Sequence, residues 1–165
     1  MTPLDTRQIS QRSQPEPRRL VIDEDISFKL AHELRKRSRA ATAPRIEQMD
    51  GLKDGALFKA LRDFEPYVLV TWDNKMPFRH CRELEAHGTT LAVVNRDAFY
   101  RATRYRDESE YIRDVVHRWA HVIEAQPANT VRRFSHTTAS RPKLPSVYVA
   151  TTRLPRYCSR PSGHA

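Results

Sequence analysis

Arg19-Leu20-Val21-Ile22-Asp23-Glu24-Asp25 is a short apolar run that ends abruptly in three carboxylates. A run of this length bounded by charge reads as a buried strand. In an open α/β sheet, ligands bind beyond the carboxyl ends of the strands, so the acids stand where a site is expected. Tyr67-Val68-Leu69-Val70-Thr71-Trp72-Asp73 repeats the pattern. If the two strands lie parallel and adjacent, Asp23 and Asp73 come close together. Such a cluster of like charge is costly unless a cation sits in it.

Helical patterns fill the intervals. Phe28, Leu30, Ala31 and Leu34 share a face after Ser27, which predicts a helix to about Arg37. Ser38 to Ala43 reads as a weak second strand closed by Pro44. Asp54 is placed to cap a helix whose stripe is Ala56, Leu57, Ala60 and Leu61. Beyond Asp73, the turn Asn74-Lys75-Met76-Pro77 opens a helix that Gly88 ends. Thr90 to Val94 is a fourth strand. Ile112, Val115, Val116, Trp119 and Ile123 mark a long amphipathic helix from Glu108 to about Glu124. Strands alternating with helices imply α/β architecture: a four-stranded, mainly parallel sheet between two helical layers.

A chain of 165 residues suits one domain. Its hydrophobic content of 39% is low, and the shortfall lies at the ends. Residues 1–18 read as a disordered arm and residues 135–165, rich in Ser, Thr, Pro and Arg, as a largely disordered basic tail, with Val147-Tyr148-Val149 a brief strand. The domain is then 19–134. Of the formal charge of +9, one unit falls on 1–18 and five on 135–165, leaving three on the domain. The basic balance argues for adhesive tails more than for a nucleic-acid-binding core. No transmembrane run or secretory h-region is present, and a cytoplasmic protein is expected. Cys81 and Cys158 are isolated and read as reduced thiols. Four glycines and no Gly-rich phosphate loop argue against a Rossmann or P-loop nucleotide fold. His117 and His121 share a helix face without a third ligand nearby in sequence.

Asp23, Asp54 and Asp73 fall at the ends of three consecutive units. An all-oxygen donor set favours Mg²⁺ or Mn²⁺ over zinc, and such a site can activate water against a phosphodiester. Asp54 also reads simply as a helix cap, and Glu24 and Asp25 as first-turn acids.

The motifs Val21-Ile22-Asp23-Glu24-Asp25, Leu30-Ala31-His32-Glu33-Leu34-Arg35, Gly51-Leu52-Lys53-Asp54 and Leu69-Val70-Thr71-Trp72-Asp73 together resemble the compact PIN-like domains of prokaryotes, in particular VapC-like toxins of toxin–antitoxin pairs. The resemblance runs from about Leu20 to Phe134. It implies a three-layer PIN-like fold and Mg²⁺-dependent ribonuclease activity, with Asp23, Asp54 and Asp73 as catalytic metal ligands. The implied partners are an RNA substrate and a small antitoxin protein. Glu24, Asp25 and Asn74 take supporting places; Asp25 stands where the family pattern has Asn, and Asn74 is the nearest candidate for its fourth acid. An inactive PIN-like binding module is the alternative within the fold.

The same residues also fit a receiver-like phosphoacceptor, since Asp73-Asn74-Lys75-Met76-Pro77 matches the receiver's Asp-x-x-Met-Pro turn. A receiver requires Ser or Thr after strand four and Lys after strand five. Here Asn95-Arg96 follows strand four, and no fifth strand is expected. For RNA contact, Arg79 beside Asp73 and the aromatic-interleaved Arg101, Arg104 and Arg106 are the candidates.

Overall fold

A computed structural model describes residues 16–151, and side chains to residue 148. Most of the expected N-terminal arm and the end of the C-terminal tail, including Cys158, lie outside the described residues.

Five strands form one sheet in the order β2-β1-β3-β4-β5: β1 (Arg19–Ile22), β2 (Ala41–Thr42), β3 (Tyr67–Thr71), β4 (Leu91–Val94) and β5 (Val131–Phe134). Every pairing among them is parallel. The fifth strand corrects the expected four. Its sequence, Val131-Arg132-Arg133-Phe134, hides the signal because two arginines occupy its centre and stay half-buried at the sheet edge.

The period-two alternation of each strand sorts the helices into two layers. Leu20, Ile22, Val68, Val70, Ala92 and Val94 point to one face, with α1 (Lys29–Lys36) and α6 (Glu108–Glu124) packed on it. Val21, Tyr67, Leu69, Leu91 and Val93 point to the other, against Leu57, Phe58 and Leu61 of α2 (Asp54–Leu61) and Cys81 and Leu84 of α4 (Cys81–Ala86). The long α6 runs over the residues its periodicity marks, and Asp107 caps it by accepting a hydrogen bond from the Glu110 amide at 2.8 Å.

Local departures have local reasons. The helix expected between Asn74 and Gly88 is split into α3 (Met76–Arg79) and α4, because the backbone at His80 leaves the helical region (φ −119°). Gly88 takes φ +62° just past α4, a left-handed conformation that favours glycine. Ser27 makes no cap on α1, and Asp54 is the first residue of α2 rather than its cap, which is Lys53.

Residues 135–148, placed in the tail by their composition, are tied to the sheet in part: Ser135, Pro145 and Tyr148 are buried, and most of the others are exposed. The Val131 amide donates to the Lys143 carbonyl at 2.7 Å and the Lys143 amide returns the bond at 2.9 Å. A second bridge joins Phe134 to Ala139. This antiparallel return covers the open edge of β5, which would otherwise present unpaired amides and carbonyls. The strand expected at Val147-Tyr148-Val149 is instead helical, in α7 (Ser146–Thr151), with Tyr148 in the apolar layer beside Phe78. Between α5 (Arg96–Arg101) and α6 lies a short loop, and Asn95 caps α5 from the end of β4.

Candidate functional site

In the order 2-1-3-4-5 the chain reverses its direction of sheet growth between β1 and β3, and ligands of such sheets bind in the crevice that opens there. That crevice is an open cleft of about 660 Å³, lined among others by Asp23, Glu24, Asp25, Asp54, Asp73 and Arg96.

Register decides which groups meet. Ile22 pairs with Val70, so the strand position opposite Asp23 is Thr71, while Asp73 lies two residues further on. Thr71 is fully buried and becomes the hub of the acids. Its hydroxyl donates to Asp23 at 2.8 Å and lies 3.2 Å from Asp25, and the hydroxyl oxygen accepts the Asp73 amide at 3.1 Å. Asp23, only 7% exposed, also accepts the Glu24 amide at 2.9 Å. Asp25 presents one side to solvent, while its carboxylate is packed against β3 and accepts the Trp72 amide at 3.0 Å.

The remaining acids hold cationic or backbone partners. Asp73 accepts the Lys75 amide at 2.9 Å in a tight Asx turn and is ion-paired to Arg79. Asp54 sits 2.7 Å from His80 Nε2. Glu24 accepts the Gly51 amide at 2.7 Å, tying the loop before α2 to the site. Gly51 has φ +80°, a conformation open to glycine at no steric cost.

Electrostatics follow from the crowding. Burial pushes the Asp23 carboxyl up, hydrogen bonds from Thr71 and Glu24 pull it back, and the charges of Asp54 and Glu24 raise it further. Asp25 is raised to about 7, first by desolvation and then by the charge of Asp23, against the hydrogen bonds from Trp72 and Thr71.

The three acids singled out from sequence, Asp23, Asp54 and Asp73, therefore share one cleft, and Glu24 and Asp25 lie with them. They are not gathered as a ligand set: among the described residues, no group of three His, Cys, Asp or Glu is arranged to hold a metal ion. Asn74 lines the cleft, but its side-chain oxygen faces the Arg96 amide at 3.3 Å and Arg133 at 3.4 Å rather than the acids.

Of the expected RNA-contacting residues, Arg79 lines the cleft. Arg101, Arg104 and Arg106 do not. Arg104 pairs with Asp114 at 3.1 Å and Arg106 with Glu110 at 3.1 Å, both on α6, and Arg101 is exposed on α5. Lys75 and Arg96 take their place at the rim. The signal for Arg96 was present, since it follows the end of β4 at the same edge as the acids. Thr71 was legible too, two residues before Asp73 and so on the same face of the strand. His117 is held against Glu33 at 3.4 Å, away from the cleft.

No helix among the described residues is long and apolar enough to cross a membrane. No family model matches the chain, and no curated protein or solved structure matches it.

Proposed function

We propose that this chain is a divalent-metal-dependent ribonuclease with a PIN-like site, of the kind that serves as the toxin of a toxin–antitoxin pair and acts in the cytoplasm. One observation carries the reading: Asp23, Asp54 and Asp73, contributed by three different elements, line a single cleft at the sheet's switch point.

The donor chemistry fits Mg²⁺ or Mn²⁺, being carboxylate oxygen throughout. Asp23, Asp54 and Asp73 would hold the ion, with Asp54 and Asp73 giving up His80 and Arg79 to do so. A bound divalent ion would offset charge developing on the phosphodiester and lower the proton affinity of a bound water. The chain's own groups supply the rest. Arg79 and Arg96 at the rim can pair with the phosphodiester anion. Asp25, its carboxylate fixed by the Trp72 amide beside Asp23, is placed to take a proton from the attacking water. Thr71 orients Asp23, and the Asx turn orients Asp73.

A receiver-like phosphoacceptor is the second reading. The strand order is that of the flavodoxin-like folds, which receivers share, and Met76 of the Asp-x-x-Met-Pro turn is buried. The partner groups count against it. Asn95 follows β4, Ser135-His136 rather than Lys-Pro follows β5, and Asp54 has no role in it.

Single-stranded RNA incubated with wild type and Asp73→Asn, in Mg²⁺, Mn²⁺ and chelator, separates the cases. The expected result is metal-dependent cleavage by wild type, lost at least a hundredfold in Asp73→Asn, with the fold intact. Uptake of phosphoryl from acetyl phosphate at Asp73, with RNA untouched, would establish the receiver. Neither reaction, across several RNA sequences, would leave a PIN-like binding module.

A further inference from the structure

The acid cleft does not end at Asp73. It continues, through shared walls at Asn74, Lys75 and Asp97, into a second open groove of about 610 Å³. Three cations line this groove: Lys75 from the turn after β3, Arg133 from β5 and Lys143 from the return over the β5 edge. Among the described residues, Asp97 is its only lining acid.

The three cations are held differently, in a way that suits a polyanion. The Arg133 guanidinium donates to the Asn74 carbonyl at 3.0 Å and lies 5.7 Å from the centre of the Phe78 ring, so its position is set by the protein. Lys75 and Lys143 are exposed, and neither side chain has an ionic partner among the described residues. The backbone of Lys143 is nevertheless fixed by its paired hydrogen bonds to Val131. Phe78 and Tyr148 meet edge to face at 5.0 Å on the groove wall, beside Val147, which is 49% exposed.

We propose that this groove is the track for a single strand of RNA entering or leaving the acid cleft. Lys75, Arg133 and Lys143 contact successive phosphates, and the half-buried Phe78 ring, with the exposed Val147 beside it, receives the unstacked bases. Cations that outnumber acids along a groove, with an accessible aromatic ring on one side, are the arrangement by which proteins hold single strands without reading sequence. A duplex would keep its bases stacked and inaccessible to that wall. The inference rests on the nuclease reading for the identity of its ligand. It also gives the segment 139–148 a role in binding in addition to covering the sheet edge.

The test measures binding apart from cleavage. A fluorescein-labelled single-stranded RNA of about twelve nucleotides, within the site sizes of such grooves, is titrated in chelator with the full chain, and anisotropy is followed at several salt concentrations. Lys143→Glu should weaken binding about tenfold at low salt and lower the slope of log affinity against log salt by about 0.7–1. Lys36→Glu, at the end of α1 and so at the opposite edge of the sheet, should bind as wild type does. Melting curves of both variants confirm that they fold. Equal binding by wild type and Lys143→Glu overturns the proposal, as does undetectable binding by wild type. Displacement by polyglutamate at concentrations where unlabelled RNA fails to compete also overturns it, in favour of an acidic protein partner. The nuclease reading fails separately: wild type that binds RNA through Lys143 yet never cleaves it with Mg²⁺ or Mn²⁺ leaves the groove standing and removes the enzyme.

Discussion

Thr71 holds Asp23 and Asp25 through its hydroxyl hydrogen and the Asp73 amide through its oxygen. Replacing it by Val keeps the volume and strand preference but leaves one oxygen of the buried Asp23 carboxylate without its donor. The expected cost is about 1–3 kcal/mol by chemical denaturation, whereas Thr71→Ser should recover most of it. Equal stabilities for the Val and Ser variants would remove Thr71 from the network. Asp25 gives a pH signature of opposite sense. Its carboxyl is raised from 3.8 to about 7 in the folded chain. The folded state therefore binds the proton more tightly, so the favourable contribution is complete below about pH 4 and is lost as pH rises through 7. In chelator, Asp25→Asn should melt above wild type at pH 8 and show little or no gain at pH 4. The side of Asp25 open to water trims the size of the difference without changing its sign. A gain of equal size at both pH values would mean that desolvation of this carboxylate is not the cause.

At the scale of elements, the return from Thr138 to Lys143 and helix α7 complete what the parallel sheet cannot finish by itself. The edge of β5 is covered by two bridges, and Arg132 and Arg133 are tied to Ser140, the Arg132 guanidinium donating to its carbonyl at 2.6 Å. Tyr148, 8% exposed, closes the apolar layer over Phe78. Tyr148→Ala should cost about 3 kcal/mol, the usual range for deleting a buried aromatic side chain, and Tyr148→Phe much less. Matching losses for the two would show that the hydroxyl, not the ring, holds α7.

For the whole molecule, the contacts of residues 135–148 have a direct consequence. A chain cut to residues 19–134 exposes the edge of β5 and uncovers Phe78, while one cut to 16–151 keeps both covered. The shorter chain should melt about 10 °C or more below the longer, since each kilocalorie moves the midpoint of a domain this size by several degrees, and it should self-associate through the bared edge. Coincident melting of the two would return residues 135–148 to the status of a dispensable tail.

Much of this architecture is a consequence of local sequence. Buried parallel strands must be continuously apolar, so Leu20-Val21-Ile22 and Val68-Leu69-Val70 identify themselves, and the acids that end them follow from the position of the sheet's ligand edge. The stripe of α6 is equally explicit. Where elements are short or lie at an edge, the pattern is weak. β5 carries two arginines because an edge strand need not bury its middle, and residues 135–148 look unpackable until β5 exists for them to cover. The acids were legible as candidates, with Thr71 and Arg79 as sequence neighbours of Asp73, but the pairings between separate segments were not. Parallel register places Thr71 opposite Asp23, and the break at His80 brings its ring to Asp54. Those are distances between segments far apart in the chain, set by strand register and helix packing, and no single segment encodes them.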